Sequence, residues 1–452
     1  MHRHPLLRSS ALRLTALSLS ALVPSCQRYA PAPLNASSSL ESYRTTSLNS
    51  PEIAQALRKA NLAPSGSWDV PKLAAAAEGS NLTIRRTRAD WEATRAAIEM
   101  AGTKPPVGVS LDLQHASNSL LPWTYGFLLD YTFETGGKKT ARLMKARVDA
   151  DAAALEIAKA RWDVRTAISL AYVDRLAAES RSKTLANASV ALAAWEEAVK
   201  HIADAGQTGR FEELTLNRER AILERDSAEA AKQIRTADAA LAQAMGLRTM
   251  ELASVSLKHL PASPPPPPSL DSLQRNAALG RPDVLSKLAA YAVSEAALRI
   301  EVTNQYPDLR LGPGYSYDQG QHKWLLSPGT SILPDLNRAG LAQAEAARKA
   351  AAAAFLEAQN LALGEVSTAW TEYSGSLGQV QKAESLEQKS IGVAAGQQSL
   401  VDGGVGNRAD LLQVRYQAAQ DQVAVDAAKF QAWRALVLLQ DATRYRWNGS
   451  NF

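Results

Sequence analysis

The chain has 452 residues, a formal charge of +5 and one cysteine; 46% of its residues are apolar but only 6% are aromatic, because alanine dominates. That balance excludes a thick globular core and suits long, closely packed helices with a charged face. The basic excess is small and dispersed, with Arg3, Arg8 and Arg13 supplying part of it, which excludes a nucleic-acid footprint; the single cysteine excludes an intrachain disulfide and a cysteine-based zinc site.

In chain order, a basic stretch leads into an apolar run from Leu14 to Val23, shorter than a bilayer-spanning helix and suited to the core of a signal peptide over residues 1–25. The run ends at Val23-Pro24-Ser25-Cys26, which resembles a bacterial lipobox and implies that Cys26 becomes a lipidated first residue. Pro24 departs from that pattern, and the alternative is an ordinary signal peptide that leaves Cys26 an unmodified thiol. Gln27 in place of an acid implies, among such lipoproteins, sorting to the outer membrane. Residues 26–80 are rich in Pro and Ser, with short helical pieces near Pro51 to Ala60 and Val70 to Ala77, and read as an extended arm. No later stretch reaches the roughly 20 apolar residues of a membrane helix, so any membrane crossing must use strands.

Helical periodicity runs from about Asn81 to Ala101 and then switches to period 2. Val107, Val109, Leu111 and Leu113 alternate with polar or small residues. After a turn, Leu121, Trp123, Tyr125, Phe127, Leu129, Tyr131 and Phe133 do the same. One face is apolar and aromatic, over about the length of a tilted membrane strand. A half-buried hairpin in a soluble sheet is the competing reading, but the only further strand candidates are Asp308 to Gln319 and Lys323 to Leu333. Four strands cannot close a barrel, so closure requires several chains.

Two near-uninterrupted helical stretches follow, from about Lys138 to Ala205 and from Asn337 to Val401, each roughly 100 Å long at 1.5 Å per residue. Shorter ones cover about Arg210 to Met245, Arg281 to Gln305 and Arg408 to Arg444. Paired, the short and medium pieces match one long helix, which predicts two continuous and two interrupted columns. Between them, residues 247–280 carry five successive prolines, Pro264 to Pro268, and read as an irregular, semi-rigid insertion.

The chain is also a duplication. Gly206-Gln207-Thr208-Gly209-Arg210-Phe211-Glu212-Glu213-Leu214 returns as Gly404-Val405-Gly406-Asn407-Arg408-Ala409-Asp410-Leu411-Leu412, each copy between two Ala-rich helices. The reading is two structural repeats, residues 81–246 and 281–445, each ending in a helical hairpin, with a tail at 446–452. Gly206 and Gly404 are expected to end the descending helices, and Glu212 and Asp410 to enter the first turn of the ascending ones, where a carboxylate favours the helix dipole.

This order of elements, with Cys26 followed by Tyr29-Ala30-Pro31-Ala32-Pro33-Leu34, the paired tips and the stretch Gln305-Tyr306-Pro307-Asp308-Leu309-Arg310-Leu311-Gly312-Pro313-Gly314-Tyr315, resembles the TolC-like outer-membrane efflux protein family. That stretch, with Asp318-Gln319-Gly320 and Lys323-Trp324, is similar to the heavy-metal-efflux branch; the chain departs from it between Leu326 and Arg338. The resemblance implies a mainly α fold with a small β part. Long antiparallel coiled-coil helices would form a trimeric α-barrel, and four transmembrane strands per chain would enter a shared barrel of twelve. It also implies a passive exit duct in the outer membrane that reaches into the periplasm. The homotrimer would be fed by a periplasmic adaptor and an inner-membrane resistance-nodulation-division pump, with metal cations as cargo. In the family the tips dock the adaptor, which singles out Gly206, Arg210, Glu212, Leu214, Gly404, Arg408, Asp410 and Leu412; Asp204 and Asp402 would ring the periplasmic end as a gate. Trp123, Tyr125, Phe127, Tyr131 and Phe133 would face lipid. The alternatives are an outer-membrane channel for drugs and other organic compounds, a type I protein-secretion duct, and a periplasmic coiled-coil adaptor or scaffold.

No cofactor and no metal site is expected. His115, His201, His259 and His322 lie in unlike segments without ligand spacing, and no nucleophile triad, P-loop or dinucleotide fingerprint is present, so the chain does not read as an enzyme.

Overall fold

A computed structural model describes residues 29–117, 120–204, 210–252, 255–331 and 336–446. The expected signal segment 1–25, Cys26 and Gly206 lie outside the described residues, as do residues 447–452 of the tail. The chain divides into two units, Met1–Thr45 and Thr46–Phe452. The first contributes one helix, α1 (Ala36–Thr45), which buries no residue and starts at Asn35, whose side chain accepts from the Ser37 N–H at 2.9 Å.

The second unit begins with two short helices, α2 (Pro51–Lys59) and α3 (Val70–Ser80), and then α4 (Leu82–Ala101). Strands β1 (Gly108–His115) and β2 (Trp123–Phe133) follow, then α5 (Lys138–Asp204) and α6 (Arg210–Met245). A single turn, α7 (Thr249–Leu252), precedes α8 (Leu270–Gly280) and α9 (Pro282–Thr303). Strands β3 (Leu309–Asp318) and β4 (Gln321–Thr330), α10 (Arg338–Asp402) and α11 (Arg408–Thr443) complete the second repeat. The segment expected to be irregular thus contains a helix: α8 starts as soon as the proline run ends. The prolines are held along α10, where Trp370 Nε1 donates to the Pro268 carbonyl at 3.1 Å and the Tyr373 hydroxyl donates to that of Pro265.

Alanine sets the packing distance. In α5, Ala141, Ala150, Ala160, Ala171, Ala178 and Ala188 are buried among larger anchors such as Ile168, Leu176, Leu192 and Trp195. Helix α5 packs between α6 and α11, and α10 packs on the far side of α11. Polar pairs key each seam in register: Arg175–Asp238 at 2.7 Å between α5 and α6, Arg434–Asp174 at 2.5 Å between α11 and α5, and Lys429–Glu384 at 3.0 Å between α11 and α10.

The main core lies where α2, α3 and α8 pack against the long helices, and it includes Ile53, Leu57, Leu73, Ile168, Leu241, Met245, Leu273, Tyr373 and Leu436. Each such side chain contributes roughly 1.5–3 kcal/mol by leaving water. At this level the interrupted columns are joined end to end. Asn81 accepts from the Thr83 and Ile84 N–H groups at the start of α4 and donates through Nδ2 to the Ala244 carbonyl, 2.7 Å away, at the end of α6. In the second repeat Arg281 precedes α9 and donates to the Ala442 carbonyl at the end of α11, also at 2.7 Å.

Candidate functional site

The four strands form one antiparallel sheet in the order β1-β2-β3-β4. Register follows from the alternation. Leu111 lies opposite Phe127, Phe127 opposite Tyr315 and Tyr315 opposite Trp324, so one face carries the apolar and aromatic residues of all four strands. The Tyr125 and Tyr317 rings stack with centroids 5.0 Å apart, and Tyr315 and Trp324 meet edge to face at 5.3 Å. This face is uncovered: Leu111 is 81% and Trp324 82% exposed, and Trp123, Tyr125, Phe127, Tyr131 and Phe133 are all exposed. The opposite face carries Ser110, Asp112, Thr124, Asp130, Thr132, Arg310, Ser316 and Lys323 between glycines. There Asp318 binds the Thr124 hydroxyl at 3.0 Å and Lys323 Nζ at 2.8 Å.

Among the described residues β1 pairs only with β2 and β4 only with β3, so both outer edges of the sheet present open backbone groups. A sheet with one greasy face, one wet face and two open edges has the chemistry of an arc of a membrane barrel. No described helix is long and apolar enough to cross a membrane.

The sheet meets the helices through two matched turns. Before α5, Gly136 and Gly137 are both left-handed, with φ of +64° and +78°; before α10, Leu336 and Asn337 take the same region, with φ of 50° and 58°. Lys138 Nζ and the Thr135 N–H both donate to Asp308 Oδ1, at 2.7 and 3.1 Å, and tie the two strand pairs together. Burial works against the Asp308 charge, but these donors outweigh it and hold its pKa below the usual carboxylate value.

At the far end, the second hairpin reverses by a Schellman closure. The Val405 N–H reaches the Leu400 carbonyl and the Gly404 N–H that of Val401, both at 3.0 Å, with Gly404 at φ +73°. Asn407 then caps α11 by accepting from the Ala409 N–H at 3.0 Å. Arg408 opens the helix, and Asp410 lies in its first turn; both are exposed. In the first hairpin Arg210 opens α6, and Glu212 and Leu214 follow on its exposed surface. Asp204 and Asp402 are the last residues of α5 and α10 and are exposed, and Asp402 accepts from Gln398 Nε2 at 2.7 Å.

Leu214 is exposed, while Leu412 is half-buried and packs against the apolar cluster of the tips, in which Leu216 and Ala409 are buried. Helical phase turns these neighbours inward. Sequence reading also passed over Trp195 and Tyr416, whose rings stack 5.9 Å apart beneath the tips, and Glu219, which accepts from the Tyr416 hydroxyl at 3.1 Å. Among the described residues no three His, Cys, Asp or Glu side chains are grouped to hold a metal ion.

No family model matches the chain. It is 25% identical over 265 residues to the cobalt-zinc-cadmium resistance protein CzcC of Cupriavidus metallidurans, a match covering 58% of this chain and 62% of that protein. The chain thus spans less than two thirds of the curated relative's length. Among solved structures it is similar to the outer-membrane channel OprN, with a TM-score of 0.68, 19% identity and 83% of this chain covered against 89% of that one. For the outer membrane protein VceC of Vibrio cholerae the TM-score is 0.67 at 19% identity, covering 83% of this chain and 95% of that one. For CusC it is 0.65 at 14% identity, covering 84% and 94%. The chain has the TolC-like fold of these outer-membrane channels, and its likeness in sequence is to a metal-resistance protein.

Proposed function

We propose that the protein is the outer-membrane exit duct of a tripartite efflux system. Three copies would each give four strands to one closed barrel of twelve, continued into the periplasm by a barrel of helices. The observation that carries this reading is the sheet: an exposed aromatic face, a polar face and two unpaired edges are stable in lipid only when the edges of neighbouring copies pair. Cargo would pass along the polar face without chemistry of the chain's own, delivered by an inner-membrane pump of the resistance-nodulation-division class and a periplasmic adaptor. The exposed tip residues Arg408 and Asp410, with their counterparts Arg210 and Glu212, are the adaptor contact in this reading, and Asp204 and Asp402 the charged periplasmic rim. Lipidation at Cys26 would add an anchor to the same membrane.

Metal cations are the proposed cargo, supported by the likeness to a cobalt-zinc-cadmium resistance protein. Two measurements test the reading together. The native protein should run as a heat-modifiable trimer from the outer-membrane fraction, and a carbonate-extractable monomer would sink the duct. A deletion strain should retain cobalt, zinc or cadmium and lose that retention on complementation; retention of dyes and drugs alone would keep the duct and discard the cation cargo.

A further inference from the structure

Behind the main core, the wall of long helices carries an apolar hollow where a wetted surface is expected. Helix α10 meets α8 and the proline run along one face. Gln359 donates to the Ala278 carbonyl at 3.3 Å, Ser367 accepts from Gln274 at 3.0 Å, and Trp370 donates to the Pro268 carbonyl at 3.1 Å. Leu361, Thr368 and Glu372 lie roughly half a turn around the helix from Trp370. On that opposite face a cavity of about 610 Å³ opens between α10 and α11. Leu361, Ala369, Ala435 and Leu438 supply its apolar lining, with Glu365 and Glu372 beside them.

The lining is costly to leave in water. Leu361 is 56% and Leu438 41% exposed, although the stretch of α11 on either side of Leu438 is buried, with Leu436, Val437, Leu439 and Gln440 all inside. Gly364 adds to the space. Nothing lies within 4 Å of where its Cβ would stand, so no contact inside the chain requires a glycine that weakens the helix. The two acids differ: Glu365 accepts from Arg281 at 2.6 Å, whereas Glu372 is exposed and has no ion pair among the described residues.

We propose that this hollow binds small amphipathic organic cations. A cavity of this size, mostly apolar with few polar groups, suits a small molecule. The leucines take an apolar body out of water, and Glu372 meets the cationic head; a carboxylate against an apolar wall attracts a cation more strongly than one in open water. In a ring of helices α10 has α11 on one flank and the next copy on the other, with α8 outside, so the hollow faces inward and stays open. That placement rests on the exit-duct reading; the binding does not. The site adds an organic ligand class to the metal cations proposed as cargo.

The test uses the full-length protein in phosphatidylcholine nanodiscs, with rhodamine 6G as the cationic probe, fluorescein as an anionic one and empty discs as the blank. Fluorescence anisotropy should show saturable binding of rhodamine 6G above the blank and none of fluorescein. Gly364→Leu, which fills the hollow, and Glu372→Gln, which removes the charge, should each weaken binding about tenfold. Glu372→Gln alters an exposed side chain and keeps the comparison open if Gly364→Leu does not fold. Absence of saturable binding, equal binding of fluorescein, or unchanged affinity in Glu372→Gln would overturn the proposal. In planar bilayers, Thr368→Cys should react with a charged methanethiosulfonate reagent and lose conductance, with the unaltered protein, which carries Cys26 alone, as the control. A cysteine that stays unreactive would show that a neighbouring copy covers the hollow, and would overturn the proposal. If the unaltered protein conducts nothing, the exit-duct reading fails, and the dye titration still decides the site.

Discussion

The joints of the two interrupted columns solve one problem with different chemistry. At each, a helix ending with free carbonyls meets a helix beginning with free N–H groups. Asn81 serves both because an amide has an acceptor and a donor: its oxygen caps α4 and its nitrogen binds the Ala244 carbonyl. Arg281 can only donate. It satisfies the Ala442 carbonyl but brings a charge, 5% exposed, into the joint, and this is matched by Asp283 through two bonds of 3.0 and 2.6 Å and by Glu365 at 2.6 Å. Burial works against the Arg281 charge, yet these bonds outweigh it and raise its pKa; Asp283, likewise disfavoured by burial, is held below the usual carboxylate value by Arg281. The neutral joint is self-sufficient, whereas the charged joint depends on three helices.

Removing the side chains should separate the two most sharply. Arg281→Ala leaves Asp283 and Glu365 without their partner and is expected to cost about 3 kcal/mol, the low end for a broken buried pair because both acids are partly exposed. Asn81→Ala forfeits a cap and one carbonyl bond, about 1–2 kcal/mol. Thermal midpoints of the detergent-solubilised protein check the order; equal losses would mean that the acids at the second joint find water at no cost.

The turns beneath the sheet differ in the same spirit. Both place two consecutive left-handed residues between strand and helix, one pair glycines and the other Leu336 and Asn337. At Gly136 a Cβ would also stand 2.7 Å from the Tyr306 ring, so Gly136→Ala should cost about 2–3 kcal/mol, against about 1 for Gly137→Ala, where the space is open. Leu336→Gly should gain at most about 1 kcal/mol, since relief of strain is partly offset by a freer unfolded chain. The same melting assay reads all three. In α10, Gly392→Ala should add about 1 kcal/mol of helix stability and bring that helix closer to glycine-free α5.

The long helices and all four strands were legible, because periods of 3.6 and 2 persist over many residues and prolines and glycines mark their ends. Helix α8 was not, since the proline run drew the eye to an irregular segment. The repeat itself held the missing signal. Leu73, Ala77 and Ile84 correspond at one offset to Leu273, Ala277 and Val284, all buried, and the same offset carries Asn81 to Arg281. An Arg in place of an Asn hides the equivalence, because the shared role lies in one donated bond and not in residue type. The tip cluster was missed for another reason: its anchors Trp195 and Tyr416 have no like residue at the matching place in the other copy, so comparing the tips position by position passes over them.

The smallest effect tests the tie that fixes α11 to the first hairpin. Burial, then the bond to Glu219, pushes the Tyr416 hydroxyl up from 10.0 to about 12. For an acid whose folded pKa is raised, the native state keeps a proton that the unfolded chain has already released. The contribution is therefore complete below the unfolded value and is lost as pH rises through the folded one. The stability difference between the native protein and Tyr416→Phe should accordingly be flat at neutral pH and shift against the native protein across this alkaline window. Tyr172 and Tyr373, also raised by burial, contribute equally to both proteins and cancel. A difference that stays flat through the window would mean that the hydroxyl reaches water, and that Tyr416 is tied to the first hairpin by its stack on Trp195 and not by the bond to Glu219.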